Sequence, residues 1–312
     1  MQYLGEIISL VVAILWTATA LFANEASRRI GAMSTNLFRM VLSSILLAGL
    51  LWIAIGHPYP AFADGKTWLW MGLSALVGYV FGDFCLFNSY VVIGARFGQL
   101  FMTLAPVFAA FAGWILLGET LSWKSVLAMG VTLSGIALSI LSRSQDGHHL
   151  TLRLPLKGIL LGIGAGMGQG VGLVLSKIGM QHYEAALPTT APAAFDWAMP
   201  FASTMIRSLT GAVGFFVWMA LLRQLPQLRA AVHNRRGMQF TGLTTLFGPF
   251  IGVSLSLMAV QYARAGIAST LMALTPVLII LPYSMIYKQK ITPKEILGVT
   301  VSMTGVALFF LL

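Results

Sequence analysis

Few residues of this sequence can do chemistry inside apolar surroundings. Asp83, in Gly82-Asp83-Phe84, stands in a hydrophobic run, about 10 Å from its nearer end at roughly 1.5 Å per residue. Arg39 and Arg207 each lie a turn or two inside other apolar runs. An ionised group there is costly unless it is paired or wet, so each is a functional candidate. Asp83 reads either as a group facing a solute path or as the ion-pair partner of Arg39. The arginines read as solute ligands, as structural or hinge residues, or as side chains snorkelling to the membrane interface. A lone carboxyl of this kind suits proton coupling or cation binding. Val80-Phe81-Gly82-Asp83 approaches an intramembrane aspartyl protease motif, but that chemistry needs a second aspartate sharing a proton, and no other aspartate is expected within a span.

Uncharged polar groups in the apolar runs come next: Thr17, Asn88, Gln99, Thr103, Gln169, Ser254, Ser256, Thr270 and Thr275. Hydroxyls in such helices mostly bond their own backbone or a neighbour, whereas the glutamines are costlier to bury. Trp16, Tyr79, Phe84 and Phe87 can stack on a flat solute or pack the interior. The solute-binding set expected is Trp16, Asp83, Phe84, Asn88, Gln99, Thr103, Gln169, Ser254 and Thr270. Pro106 and Pro276 remove a helix donor and free the carbonyls of Met102 and Met272, which marks hinges or passive kinks. The alternate glycines from Gly162 to Gly172 strip one helix of side chains. They point to close helix packing rather than a phosphate loop, since no Lys-Ser/Thr follows.

The positioning elements follow from composition. The 312 residues are 58% hydrophobic and 9% charged, which excludes an ordinary soluble domain. Hydropathy and the placement of Gly, Pro and charge predict ten spans, near 4–23, 35–55, 67–90, 95–117, 122–141, 156–177, 201–222, 238–262, 265–287 and 294–312. Spans three and four, and eight and nine, meet in tight hairpins near Val92–Arg96 and Ala263–Gly266. The start lacks a cationic n-region and cleavage site, so the first span is expected to be retained. Cys85, alone, excludes an internal disulfide, and the five histidines are expected in connections, so no metal or other cofactor is expected. The net charge of +10 falls mostly in connections and suits lipid headgroups rather than nucleic acid.

At a shift of 170 residues, Ala95, Met102, Leu104, Pro106, Val107, Lys124, Leu127, Val131, Gly135, Ala137 and Leu138 fall on identical residues from Ala265 to Leu308. Arg39 matches Arg207 at a shift of 168. The chain therefore reads as an all-α membrane protein of two five-helix repeats, residues 1–145 and 155–312. Five being odd, the second copy enters the membrane from the opposite side. Inverted repeats of this kind place a site near the midplane and permit alternating access. Spans one, three, four, six, eight and nine are expected to enclose it. Asp83 falls on Val253, so the acid is not a requirement of the repeat.

These features resemble the drug/metabolite transporter superfamily, EamA type. The resemblance rests on Trp16, Arg39, Leu104-Ala105-Pro106-Val107 and Leu117-Gly118-Glu119-Thr120-Leu121-Ser122, with Arg207 and Leu274-Thr275-Pro276-Val277 in the second half. Gln169 stands in place of the second tryptophan, and Lys288-Gln289-Lys290-Ile291-Thr292 in place of the acidic loop. The resemblance implies a ten-helix secondary transporter with a central cavity for a small metabolite or drug-like solute, in a bacterial inner membrane, and not an enzyme. A membrane-embedded enzyme and a channel are the rival readings. Apart from Arg39 and Arg207, thirteen Lys and Arg fall on one predicted face and four on the other, which directs the richer face to the cytoplasm and both termini outside.

Overall fold

The computed structural model describes residues 3–142, 155–278 and 293–311, all helix and short connections. Helix α1 (Leu4–Ile30) is divided from α2 (Ala32–Ile55) by Gly31 alone, at φ +83°. Only a residue without Cβ turns the chain there cheaply, so span one runs a full two turns beyond its predicted end. Helix α3 (Gly65–Ala75) widens into a π-helical stretch, Leu76–Asp83, and continues as α4 (Phe84–Met102); α5 (Ala105–Leu117) and α6 (Trp123–Ser142) complete the first half.

The second half comprises α7 (Leu156–Ala186), α8 (Phe195–Leu221), the short α9 (Pro226–His233), α10 (Arg235–Thr245), a second π-helical turn at Leu246–Phe250, α11 (Gly252–Tyr262), α12 (Ala265–Met272), α13 (Thr275–Leu278) and α14 (Pro293–Leu311). Helix α7 is nine residues longer than its predicted span. It carries His182, expected in a connection, and stacks it on Trp70. Asp196, likewise expected outside a span, lies in the first turn of α8.

Among the described residues, six helical stretches are long and apolar enough to cross a membrane: Leu4–Ile30, Ala32–Ile55, Gly65–Ser89, Leu156–Ala186, Phe195–Leu221 and Arg235–Tyr262. Shorter apolar helices are Ala105–Leu117, Trp123–Leu138 and Ile296–Leu308. Large side chains such as Ile14, Ile45, Trp52, Phe111, Trp114 and Val213 point outward, where lipid rather than water suits them.

The glycine run of α7 governs how the first half folds back on it. Added Cβ atoms at Gly179, Gly172, Gly168, Gly164 and Gly158 would meet Met71, Gly78, Gly82, Cys85 and Ile93 in turn, so the α3–α4 chain descends antiparallel to α7. At Gly162, Gly166 and Gly170 they would meet Phe101, Leu104 and Ala109 instead, in parallel order. The order of contacts along α7 therefore changes between Ile93 and Phe101, within α4, which is helical throughout where a loop-free hairpin near Val92–Arg96 was expected. Backbones approach this closely only where side chains are absent.

The two halves are related by an approximate two-fold. Equivalent helices pair with each other, α2 on α8 and α6 on α14; α5 packs on α12, and α1 packs on α10 and α11 as α7 packs on α3 and α4. In the α6–α14 crossing, Gly135 lies against Ser302 and Gly305 against Thr132, the same two positions of the repeat exchanged. Caps match too. Asp64 accepts from Thr67 N (2.8 Å) at the start of α3, and Asn234 from Gly237 N (2.9 Å) at the start of α10.

Candidate functional site

Two kinds of helix irregularity meet at the centre. The first is the pair of π-helical stretches, which coincide at the 170-residue shift: Gly78 with Gly248 and Gly82 with Gly252. In the second copy Pro249 lacks an N–H, Gly248 leaves the helical region at φ −88°, ψ −105°, and Ile251 N reaches back to Leu246 O at 3.1 Å, five residues earlier. The second kind is the break before each Leu-x-Pro-Val. Leu104 N bonds Phe101 O (3.0 Å) and Leu274 N bonds Leu271 O (3.2 Å), each a tight turn between two helices. The freed Met272 carbonyl accepts from Thr275 Oγ1 at 3.0 Å, a partner that Ala105 cannot provide for Met102. Thr275 also reaches Ala13 O at 3.3 Å, tying the second break to α1.

A cavity of about 150 Å³ lies between these irregularities. It is lined from α1 by Trp16, from the α3–α4 chain by Tyr79, Asp83 and Phe87, from the first break by Met102 and Thr103, from α7 by Gln169, and from the second half by Pro249, Val253, Ser256 and Met272. Helices α2 and α8 each contribute one side chain, Arg39 and Arg207.

The polar part of the wall is a network. Arg39 Nη2 donates to Asp83 Oδ2 in a buried ion pair, and Gln169 Nε2 donates to Asp83 Oδ1 (2.8 Å) and to Gly78 O (3.1 Å). Gln169 reaches both because Gly168 lets α7 lie on Gly82, where an added Cβ would come within 2.7 Å of Cα. The Arg39 guanidinium also lies 5.7 Å from the centre of the Phe87 ring. Arg207, 3% exposed, sits 4.5 Å over the Tyr79 ring. Among the described residues it has no carboxylate partner, and its Nε and the Tyr79 hydroxyl are buried without hydrogen bonds. Buried groups of this kind are costly unless something completes them.

The structure thus brings Trp16, Asp83, Thr103, Gln169, Arg39 and Arg207 to one cavity. The two arginines do not snorkel: at 7% and 3% exposure both are turned inward. Four other residues of the expected set lie elsewhere. Phe84, one residue round the helix from Asp83, stacks on Trp218 at 4.3 Å. Asn88, Ser254 and Thr270 are satisfied by their own helices, through Phe84 O (2.7 Å), Phe250 O (2.7 Å) and Gly266 O (2.7 Å), and none lines the cavity. The Gln99 and Pro276 side chains fall outside the described residues. Pro106 is buried in the first turn of α5, just after the break. Tyr79 and Phe87, two of the four aromatics expected to stack on a solute or pack the interior, line the wall; Pro249 belongs to it without having been singled out, and Gly78 and Gly248, repeated at the same shift, were the available signal.

A second polar cluster closes one end of the bundle. Glu119 pairs with Lys177 Nζ at 2.6 Å and accepts from Ala265 N at 3.0 Å, while Lys177 donates to Ala263 O at 2.8 Å. One ion pair therefore joins the loop after α5, helix α7 and the turn between α11 and α12. At the opposite end Arg29, Arg235 and Arg236 gather around the α9–α10 junction, with Asn234 Nδ2 near Arg29 O (3.4 Å).

The model of the EamA-like transporter family matches residues 3–141 and again 156–311, so this chain is a member of the EamA-like transporter family, a multi-pass integral membrane protein made of two copies of that unit. A solved crystal structure superposes on 100% of this chain and 97% of its own with a TM-score of 0.71; at 16% identity that likeness concerns the fold. No curated protein matches the sequence.

Proposed function

We propose that this protein is a secondary transporter that crosses the membrane ten times and carries a small solute by alternating access between its inverted halves. The observation that carries the reading is the placement of the cavity: it lies where both π-helical turns and both Leu-x-Pro breaks converge, between repeats that exchange equivalent contacts. Helix irregularity at membrane depth is tolerated where it lines a cavity, and it supplies points about which each half can bend. The Glu119–Lys177 cluster then closes one entrance, and opening it exposes the cavity to that side. The basic end, rich in arginine, faces the cytoplasm of a bacterial inner membrane, with both termini outside.

Asp83 admits a second role. Its asymmetry between halves favours proton coupling, in a cycle in which it releases Arg39. The test is flux in proteoliposomes. A transporter gives saturable uptake that stops when Glu119→Cys and Lys177→Cys are cross-linked and resumes on reduction; uptake linear in solute concentration would indicate a channel. Asp83→Asn that folds, keeps exchange and loses pH-driven uptake would establish coupling. Cysteines at positions 1 and 312 that resist external labelling in intact cells would reverse the orientation.

A further inference from the structure

The repeat makes a matched prediction for its two buried arginines, and the second half breaks it. Arg39 in α2 has Asp83, the last residue of the π-helical stretch, as its partner. The residue that repeats Asp83 is Val253, which lines the same cavity as Arg207. Arg207 is thereby left buried, turned into the cavity, with the Tyr79 ring against its face and no ion pair among the described residues; Asp83, across the same cavity wall, acts on it only at longer range. Nearby, the Tyr79 hydroxyl is another buried group awaiting a partner.

We propose that the carboxylate missing from position 253 is supplied by the cargo, so that the transported solute is a small monocarboxylate held by Arg207. This rests on the transporter reading above. Three observations narrow the class. Two arginines and one aspartate leave the wall with one positive charge, which suits a monoanion rather than a dianion. Asp83 already takes both Arg39 and Gln169, so no acid is free to receive a cargo ammonium. The rest of the wall is apolar and aromatic, from Trp16, Leu86, Phe87, Met102, Leu173 and Met272, around a cavity of about 150 Å³. A space of that size holds a benzene-sized body. A planar guanidinium matches a carboxylate with two parallel hydrogen bonds, which fixes the head while the apolar body fills the remainder.

The test is thermal stabilisation of the full chain in nanodiscs of zwitterionic lipid, so that no anionic headgroup competes, with benzoate and phenylacetate against benzamide, phenylacetamide and inorganic phosphate. Stabilisation by the carboxylates and not by the amides or phosphate is expected. Arg207→Gln should weaken carboxylate binding roughly ten- to hundredfold, the range for a charge-assisted hydrogen bond, and Arg207→Lys should keep the preference for acid over amide. Equal stabilisation by acid and amide, or by phosphate alone, or no stabilisation by either carboxylate, overturns the proposal; the unsubstituted protein decides this even if Arg207→Gln fails to fold. Carboxylate binding without flux in proteoliposomes would keep the anion site and remove the transporter reading. Saturable flux of neutral solutes with no preference for acids would do the reverse.

Discussion

The two halves of the molecule share a helix plan and differ in how they treat their buried charge. In the first, Arg39 and Asp83 neutralise one another, and Gln169 from the other half completes the acid. In the second, Arg207 faces an aromatic ring, and valine stands where the acid would be. Each arginine has a buried Nε without a hydrogen bond, but among the described residues only the one in the first half is ion-paired. Duplication provides the scaffold, and loss of equivalence at single positions makes the cavity wall asymmetric.

The largest expected effect separates the arginines. Asp83→Asn strands a buried guanidinium and should cost about 3–5 kcal/mol of stability, much of it restored by adding Arg39→Gln. Arg207→Gln, which breaks no ion pair, should cost less than about 2 kcal/mol. Equal losses in detergent-solubilised thermal unfolding would mean that the halves are charged alike. Next in size is the α6–α14 crossing, where the halves should behave identically. Valine at Gly135 or at Gly305 would press on backbone 2.3 or 2.4 Å away and should destabilise by at least about 1–3 kcal/mol in both cases, whereas Gly49→Ala, with open space around it, should be silent. A clear difference between the two valine variants would show that the two-fold is broken there. Glu119→Gln, smaller again, should lose roughly 1–2 kcal/mol and raise the fraction of molecules labelled at a cavity cysteine from that end; unchanged labelling would remove the cluster from gating.

The smallest effect distinguishes the two helix caps. The Asp64 carboxyl is held below the usual carboxylate range, first by its hydrogen bond from the Thr67 hydroxyl and then by that from the Thr67 amide. A depressed folded-state value stabilises above the unfolded one and is lost as pH falls through the folded one. Asp64→Ala should therefore lower Tm slightly at neutral pH, with the difference from the parent shrinking in acid. Asn234→Ala, which removes the uncharged cap at the equivalent place, should give a difference independent of pH. Matching pH profiles for both variants would contradict the assignment.

Much of this was legible in the sequence. The 170-residue shift and the paired Leu-x-Pro-Val lead to two repeated units, and the glycines of α7 announce close packing. Helix ends were less legible, because α1 and α7 continue through polar residues such as Glu25 and His182 that hydropathy takes for loop and that here find partners. Within the site, helical period separates the aromatic residues: Tyr79, Asp83, Leu86 and Phe87 share one face, which leaves Phe84 and Asn88 off it. Sequence could not tell that Arg39 and Arg207 turn inward rather than toward the interface, since both orientations use the same residue type at the same depth. The π-helical turns were hidden for a different reason: Gly78 and Gly82 read equally well as packing glycines.

The widened turn at Leu76–Asp83 also affects what a mutational survey can detect. It turns the carbonyl of Gly78 toward Gln169, so part of the polar wall is main chain. An acceptor made of backbone has no codon of its own, and no substitution at Gly78 deletes it. Alanine scanning would register its donor, Gln169, and pass over the acceptor, assigning to one glutamine what belongs to a pair. Substitutions that straighten the turn would be scored as folding defects, although what they remove is a hydrogen-bond acceptor of the cavity wall. A survey of side chains alone would therefore find a smaller site than the one this chain builds.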